Sequence, residues 1–138
     1  MEVRIAVLAD FASLTNDQKL NILGVFRQIS ASQVPAAHPQ FKLVFQLEFN
    51  SSESGDKQVK IELVDEDGVE LLSIAGKMHV PRQPGGRAAL VNQILDFAGF
   101  GFPKFGDYEF RVVLDGITAC VIPLTVAQVT APASAKPS

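Results

Sequence analysis

The sequence predicts an all-β fold: a two-sheet antiparallel sandwich of about eight strands with immunoglobulin-like or jelly-roll connections. Three observations carry this. Apolar and polar residues alternate with period 2 through residues 41–50, 57–65 and 106–114. Asp-Gly pairs at 67–68 and 115–116 sit between apolar runs, where hairpin turns belong. No stretch carries a long helical stripe. The inward stripes are bulky Phe, Leu, Ile and Val, which suits two sheets packed face to face about 10 Å apart.

The elements follow in order. Residues 2–12 read as a strand, apolar at consecutive positions from Ile5 to Ala9, so both of its faces are expected to be covered. Residues 14–18 are a turn cluster. Residues 19–30 place Leu20, Ile22, Gly24 and Phe26 on one face of a second strand. A helix over 17–29 competes, but Gly24 and the β-branched Ile22, Val25 and Ile29 favour strand. Gly24 in mid-strand predicts a bulge or a close backbone approach. Residues 31–40 contain Pro35 and Pro39 and read as a connection crossing between sheets.

Residues 41–50 are a half-buried strand, with Phe41, Leu43, Phe45, Leu47 and Phe49 inward and water on the outer face. Residues 51–56 are a polar turn, and Val59, Ile61 and Leu63 line the next strand. Residues 69–78 return from the Asp67-Gly68 turn. Residues 79–88 form the longest loop, rich in Gly and Pro. Residues 90–97 read as a strand, with a short helix as the alternative. Residues 98–105 are a Gly/aromatic connection into the closing hairpin around Asp115-Gly116. The β domain spans 1–128, and 129–138 reads as a disordered tail of Ala, Pro, Ser and Lys.

Bulk properties narrow the function classes. A chain of 138 residues, 47% hydrophobic, suits one domain with a real core. The net charge of −3 argues against nucleic acid and against an anionic membrane as partners. Cys120 is the only cysteine, so no internal disulfide forms, and a cytoplasmic setting is expected. Asp10 interrupts the N-terminal apolar run, and neither a signal peptide nor a membrane span is expected.

Two resemblances add to this reading. Gly106-Asp107-Tyr108-Glu109-Phe110 resembles the Gly-x-Tyr-x-Cys corner of immunoglobulin-like domains, where a tyrosine hydroxyl ties back to nearby backbone. Phe110 stands at the cysteine position, Lys104 at the usual aspartate, and the chain has no tryptophan. A longer likeness runs through Ala9-Asp10, residues 19–26, Pro35-Ala36-Ala37-His38-Pro39, Gly106-x-Tyr108-x-Phe110 and Asp115-Gly116. It is similar to a family of short bacterial proteins and implies a small cytosolic β-sandwich with no assigned activity.

No catalytic constellation emerges, and the chain is not expected to be an enzyme. His38 and His79 lie in proline-bearing stretches far apart, and Cys120 lies in an apolar strand where a small core hydrophobe is expected. Metal-ligand spacing is missing, and Asp65-Glu66-Asp67-Gly68 lacks the calcium-loop pattern, so no metal or cofactor is expected. Two binding surfaces remain. The rings of Phe97, Phe100, Phe102 and Phe105 are expected to be buried as a cap on one end of the sandwich; exposed, they would mark a partner surface. Phe100, Phe102 and Phe105 are the binding residues expected for an interaction or assembly module that acts by edge pairing or by packing of this segment, with an unknown protein partner or by self-association. Alternatively, His79, Arg82 and Arg87, around Pro84-Gly85-Gly86, would hold a small anion.

Overall fold

Eleven strands carry the fold in a computed structural model that describes residues 1–130. They are β1 (Glu2–Leu14), β2 (Leu20–Phe26), β3 (Gln28–Ala31), β4 (Ala36–Ala37), β5 (Gln40–Phe49), β6 (Gly55–Asp65), β7 (Glu70–Val80), β8 (Ala89–Ala98), β9 (Gly101–Phe102), β10 (Gly106–Leu114) and β11 (Ile117–Gln128). One sheet has the order β2-β1-β5-β8 and the other β3-β11-β10-β6-β7. The short β4 and β9 pair with each other. The count exceeds eight because the connections at 31–40 and 98–105 contribute the short β4 and β9, and the strand expected over 19–30 divides at Arg27 into β2 and β3. The sandwich is also not wholly antiparallel, since β3 runs parallel to β11.

Among the described residues the chain crosses between the two large sheets five times, at β2–β3, β3–β5, β5–β6, β7–β8 and β8–β10. Arg27 separates β2 in the first sheet from β3 in the second, and the proline-bearing connection returns the chain to β5. The crossing expected of residues 31–40 is therefore where the structure has it.

Period 2 decides which side chains enter the core. Phe41, Leu43, Phe45, Leu47 and Phe49 of β5 are all buried, opposite the inward residues of β6, β10 and β11. Phe41 lies at the centre of an aromatic cluster. It stacks on Phe97 at 5.0 Å and meets Phe26 and Phe110 edge-on at 6.0 and 6.2 Å. The outer face of β5 is drier than its polar residues suggest. Val44 is fully buried, and Lys42, Gln46 and Glu48 are only half-exposed on this central strand between β1 and β8.

The two Asp-Gly turns differ. Asp115 and Gly116 both have positive φ (48° and 84°), as a two-residue hairpin loop requires, and they join Leu114 to Ile117. The Asp115 N–H also donates to the Gln58 carbonyl, and its side chain accepts from the Gln58 N–H. In the 67–68 turn only Gly68 has positive φ. The Gly68 N–H donates to the Asp65 carbonyl and the Asp65 N–H to the Val69 carbonyl, so the loop spans three residues. Other boundaries shift as well. His79 and Val80 belong to β7, so the loop begins at Pro81, and residues 89–98 are strand throughout. The Val129 N–H donates to the Ala31 carbonyl at 2.9 Å. Residues 131–138 of the expected tail lie outside the described residues.

Tyr108 ties the entry of β10 to the preceding segment. Its hydroxyl donates to the Lys104 carbonyl at 2.6 Å and accepts from the Lys104 N–H at 3.1 Å, while the ring packs edge-on against Phe102. Tyr108→Phe keeps the ring and leaves both Lys104 groups without this partner. A loss of about 1 kcal/mol is expected in urea unfolding. An unchanged midpoint would show that the tie contributes nothing.

Asp65 closes the neighbouring turn. Its buried carboxylate accepts from the Asp67 and Val69 N–H groups, both at 2.9 Å, and pairs with Lys104 Nζ at 3.2 Å. The Val69 bond, followed by the Lys104 and Asp67 bonds, holds this carboxyl below the usual aspartate range against the opposing effect of burial. The Asp67 and Asp65 carboxylates in turn raise Lys104 above the usual lysine range. A depressed folded-state pKa contributes stability above the unfolded value, about 3.9 for aspartate, and loses it as pH falls through the folded value. Asp65→Ala should therefore be less stable at neutral pH and decline less steeply into acid. Urea titrations across that range would expose parallel curves if Asp65 were uninvolved.

Candidate functional site

The two outer faces of the sandwich differ in chemistry. The outer face of the β3-β11-β10-β6-β7 sheet is charged. Lys60 pairs with Glu62 at 2.9 Å and Arg111 with Glu109 at 2.9 Å, and the register sets Arg111 beside Glu62. The outer face of the β2-β1-β5-β8 sheet is apolar along much of its width. Phe11 is opposite Leu23 and Ala9 opposite Val25, so these four share a face. Phe11, Leu23 and Val25 are 48%, 65% and 57% exposed. Val7, Val44 and Ile94 are register partners on the same side of β1, β5 and β8, but Val44 is fully buried and the other two are half-buried, so the exposed apolar part of this face is Phe11, Leu23 and Val25.

Residues 20–26 build this surface because both of their faces are apolar. Leu20, Ile22 and Phe26 turn toward the core side, and Leu23 and Val25 stand on the outside. Polar groups border the Val7–Val44–Ile94 row on both sides. Lys42 Nζ pairs with Asp96 at 2.7 Å, and Gln46 Nε2 donates to Asn92 Oδ1 at 2.8 Å.

A polar corner closes the end of the core beneath β1 and β2. Asp10 stands opposite Gly24, between the paired positions 9–25 and 11–23. Gly24 has φ +72°, and a Cβ built there would lie 2.5 Å from Asp10 Oδ2. This is the close approach that a mid-strand glycine predicts. Asp10 Oδ1 lies 3.2 Å from His38 Nε2, and the His38 ring packs on Phe26 at 5.1 Å. Asp10, Gly24, Phe26 and His38 come from three separate pieces of the sequence and meet at this corner.

The expected binding residues are placed differently. Phe102 is completely buried, packed on Phe41 and Tyr108, so it is no part of any surface. Phe100 and Phe105 are half-buried against the same core. The short β4–β9 pairing carries Phe102 inward and seals this end of the sandwich. In the other stretch, His79 sits on β7 rather than in a loop. Its Nδ1 lies 2.8 Å from Asp56 Oδ1, and that exposed carboxylate works against anion binding beside it. Arg82 and Arg87 are exposed on the loop that follows. Burial pushes the Cys120 thiol up to about 11, so it stays protonated at neutral pH. Among the described residues, no three His, Cys, Asp or Glu side chains are grouped to hold a metal ion, and no helix is long and apolar enough to cross a membrane.

Phe11, Leu23 and Val25 carry no motif that singles them out in the sequence. The signal for them was the absence of alternation in residues 5–9 and 20–26, which implied that two faces, not one, carried apolar side chains.

Fold and surface together define an all-β sandwich domain with one charged and one apolar outer face. The chain belongs to the family of unknown function DUF6941, whose model matches residues 4–127. No curated protein matches it. A similar solved structure is the Pseudomonas fluorescens alkylpurine DNA glycosylase AlkC bound to DNA containing an abasic site analog. The two chains are 12% identical with a TM-score of 0.45, and the match covers 88% of this chain and 31% of that one.

Proposed function

We propose that this domain is a noncatalytic protein-interaction module that docks a second protein through the outer face of the β2-β1-β5-β8 sheet. The observation that carries this reading is the joint exposure of Phe11, Leu23 and Val25 on one face, while the other outer face bears ion pairs. Contiguous exposed apolar side chains rimmed by polar residues are what a partner's apolar surface covers. The occupant this face suits is a protein that presents an apolar counter-surface. The Tyr108 tie and the parallel β3–β11 pair support an immunoglobulin-like reading of the connections. The single cysteine supports a reducing, cytoplasmic setting.

Matched baits test the proposal, wild type against Leu23→Asp and Phe11→Ser. Both positions are exposed, so circular dichroism should be unchanged. A partner held stoichiometrically by wild type should bind each variant at least about tenfold more weakly when reconstituted from purified components. Equal affinity for all three baits would remove this face from the reading.

A further inference from the structure

Among the described residues each of the two large sheets leaves two edges, and these four differ in how they are protected. β2 is interrupted by the positive φ of Gly24. β3 has only four residues. β7 has a register shift near its start and carries Lys77, a residue type that blunts edges. β8 has none of these devices. Its ten residues pair with β5 in one unbroken register, from Ala98 opposite Gln40 to Ala89 opposite Phe49, with no glycine, proline or lysine. Among the described residues no backbone hydrogen bond reaches its other side. That side borders a cleft of about 140 Å³ between the sheets, lined in part by Gln93, Leu95 and Ile74.

We propose that a second copy of this chain pairs with this edge. The two β8 strands run antiparallel about a two-fold axis through Ile94, and two four-stranded sheets become one of eight. Side-chain chemistry selects the register. Pairing that keeps inner and outer faces in register must be centred on a single residue. Centred on Ile94, it sets Ile94 against Ile94 and Asn92 against Asp96, with Val91 against Phe97 on the inner face. Asn92 already accepts from Gln46 through its oxygen, and its amide nitrogen has only a 3.5 Å contact with the Gln18 carbonyl. Asp96 already binds Lys42 through Oδ1, and its side chain is 70% exposed. A Gln46–Asn92–Asp96–Lys42 ladder would therefore span the junction twice. Centring on Asp96 sets two carboxylates together, and centring on Gln93 sets Asp96 against Leu90.

The inference does not depend on docking through Phe11, Leu23 and Val25, and the experiment keeps the two apart. By light scattering across a concentration series, the wild-type chain and Leu23→Asp should both dimerise. Asn92→Asp places a carboxylate opposite Asp96 and should weaken the dimer about tenfold or more. Adding Asp96→Asn to that variant exchanges the two groups and should restore association. In a Cys120→Ser background, Ile94→Cys should form a disulfide-linked dimer on mild oxidation, whereas Leu90→Cys, whose counterpart is Ala98, should not. A monomer at every concentration overturns the proposal. So does a dimer that Asn92→Asp leaves intact, or one that Ile94→Cys fails to link.

Discussion

Phe41→Ala should cost about 3–5 kcal/mol, the range for truncating a fully buried phenylalanine. Phe41 has no exposed surface and packs on Phe26, Phe97, Phe102 and Phe110, which come from β2, β8, β9 and β10. Its removal therefore opens a cavity where both sheets and the sealing segment meet. Small domains are stable by about 5–15 kcal/mol, so this single loss is a large fraction of the whole. With a urea slope of about 1–3 kcal/mol/M, the midpoint should fall by about 2 M. Phe41→Leu refills much of the space and should lose about 1–2 kcal/mol. A Phe41→Ala midpoint within the error of wild type would mean that the aromatic cluster is not the centre of the core.

The second large effect is expected at Gly24→Ala, about 2–3 kcal/mol, from two sources. A side chain at φ +72° costs about 1–2 kcal/mol through the left-handed backbone. The new Cβ would also stand 2.5 Å from Asp10 Oδ2, nearer than real side-chain contacts come. Asp10 must then give way, and with it the contact to His38, whose ring covers Phe26. A double-mutant cycle separates the two sources. In an Asp10→Ala background the carboxylate is gone, so Gly24→Ala should cost less, with a coupling of about 1 kcal/mol. Equal costs in the two backgrounds would assign the whole effect to the backbone and none to the crowding.

The candidate site was harder to read from sequence than the core. Phe102 belongs to a run of glycines and phenylalanines with no period, so the sequence favours burial only because an exposed patch of that many rings is a solubility liability, and it does not say which ring goes fully inward. The pairing of Ala36 with Phe102 makes that choice, across a separation along the chain that no motif spans. His79 falls on β7 rather than in the loop for a related reason. Gly and Pro dominate residues 81–86, but the strand persists to Val80 because β6 is long enough to pair with it as far as Gly55. The apolar outer face was legible in part, since residues 5–9 and 20–26 carry more apolar side chains than one buried face can take.

By itself the sequence determined the all-β class, the inward stripe of β5, the hairpin at Asp115-Gly116 and the special role of Gly24. Each is a local consequence of period 2 or of a backbone conformation that few residues adopt. Tertiary structure alone decided which strands are neighbours, that β3 runs parallel to β11, that Phe102 is buried, and that Asp10 and His38 meet. It also left β8 at an edge, with Phe11, Leu23 and Val25 outside. These depend on contacts between residues far apart in the chain, where the energy of packing two sheets together outweighs any local preference.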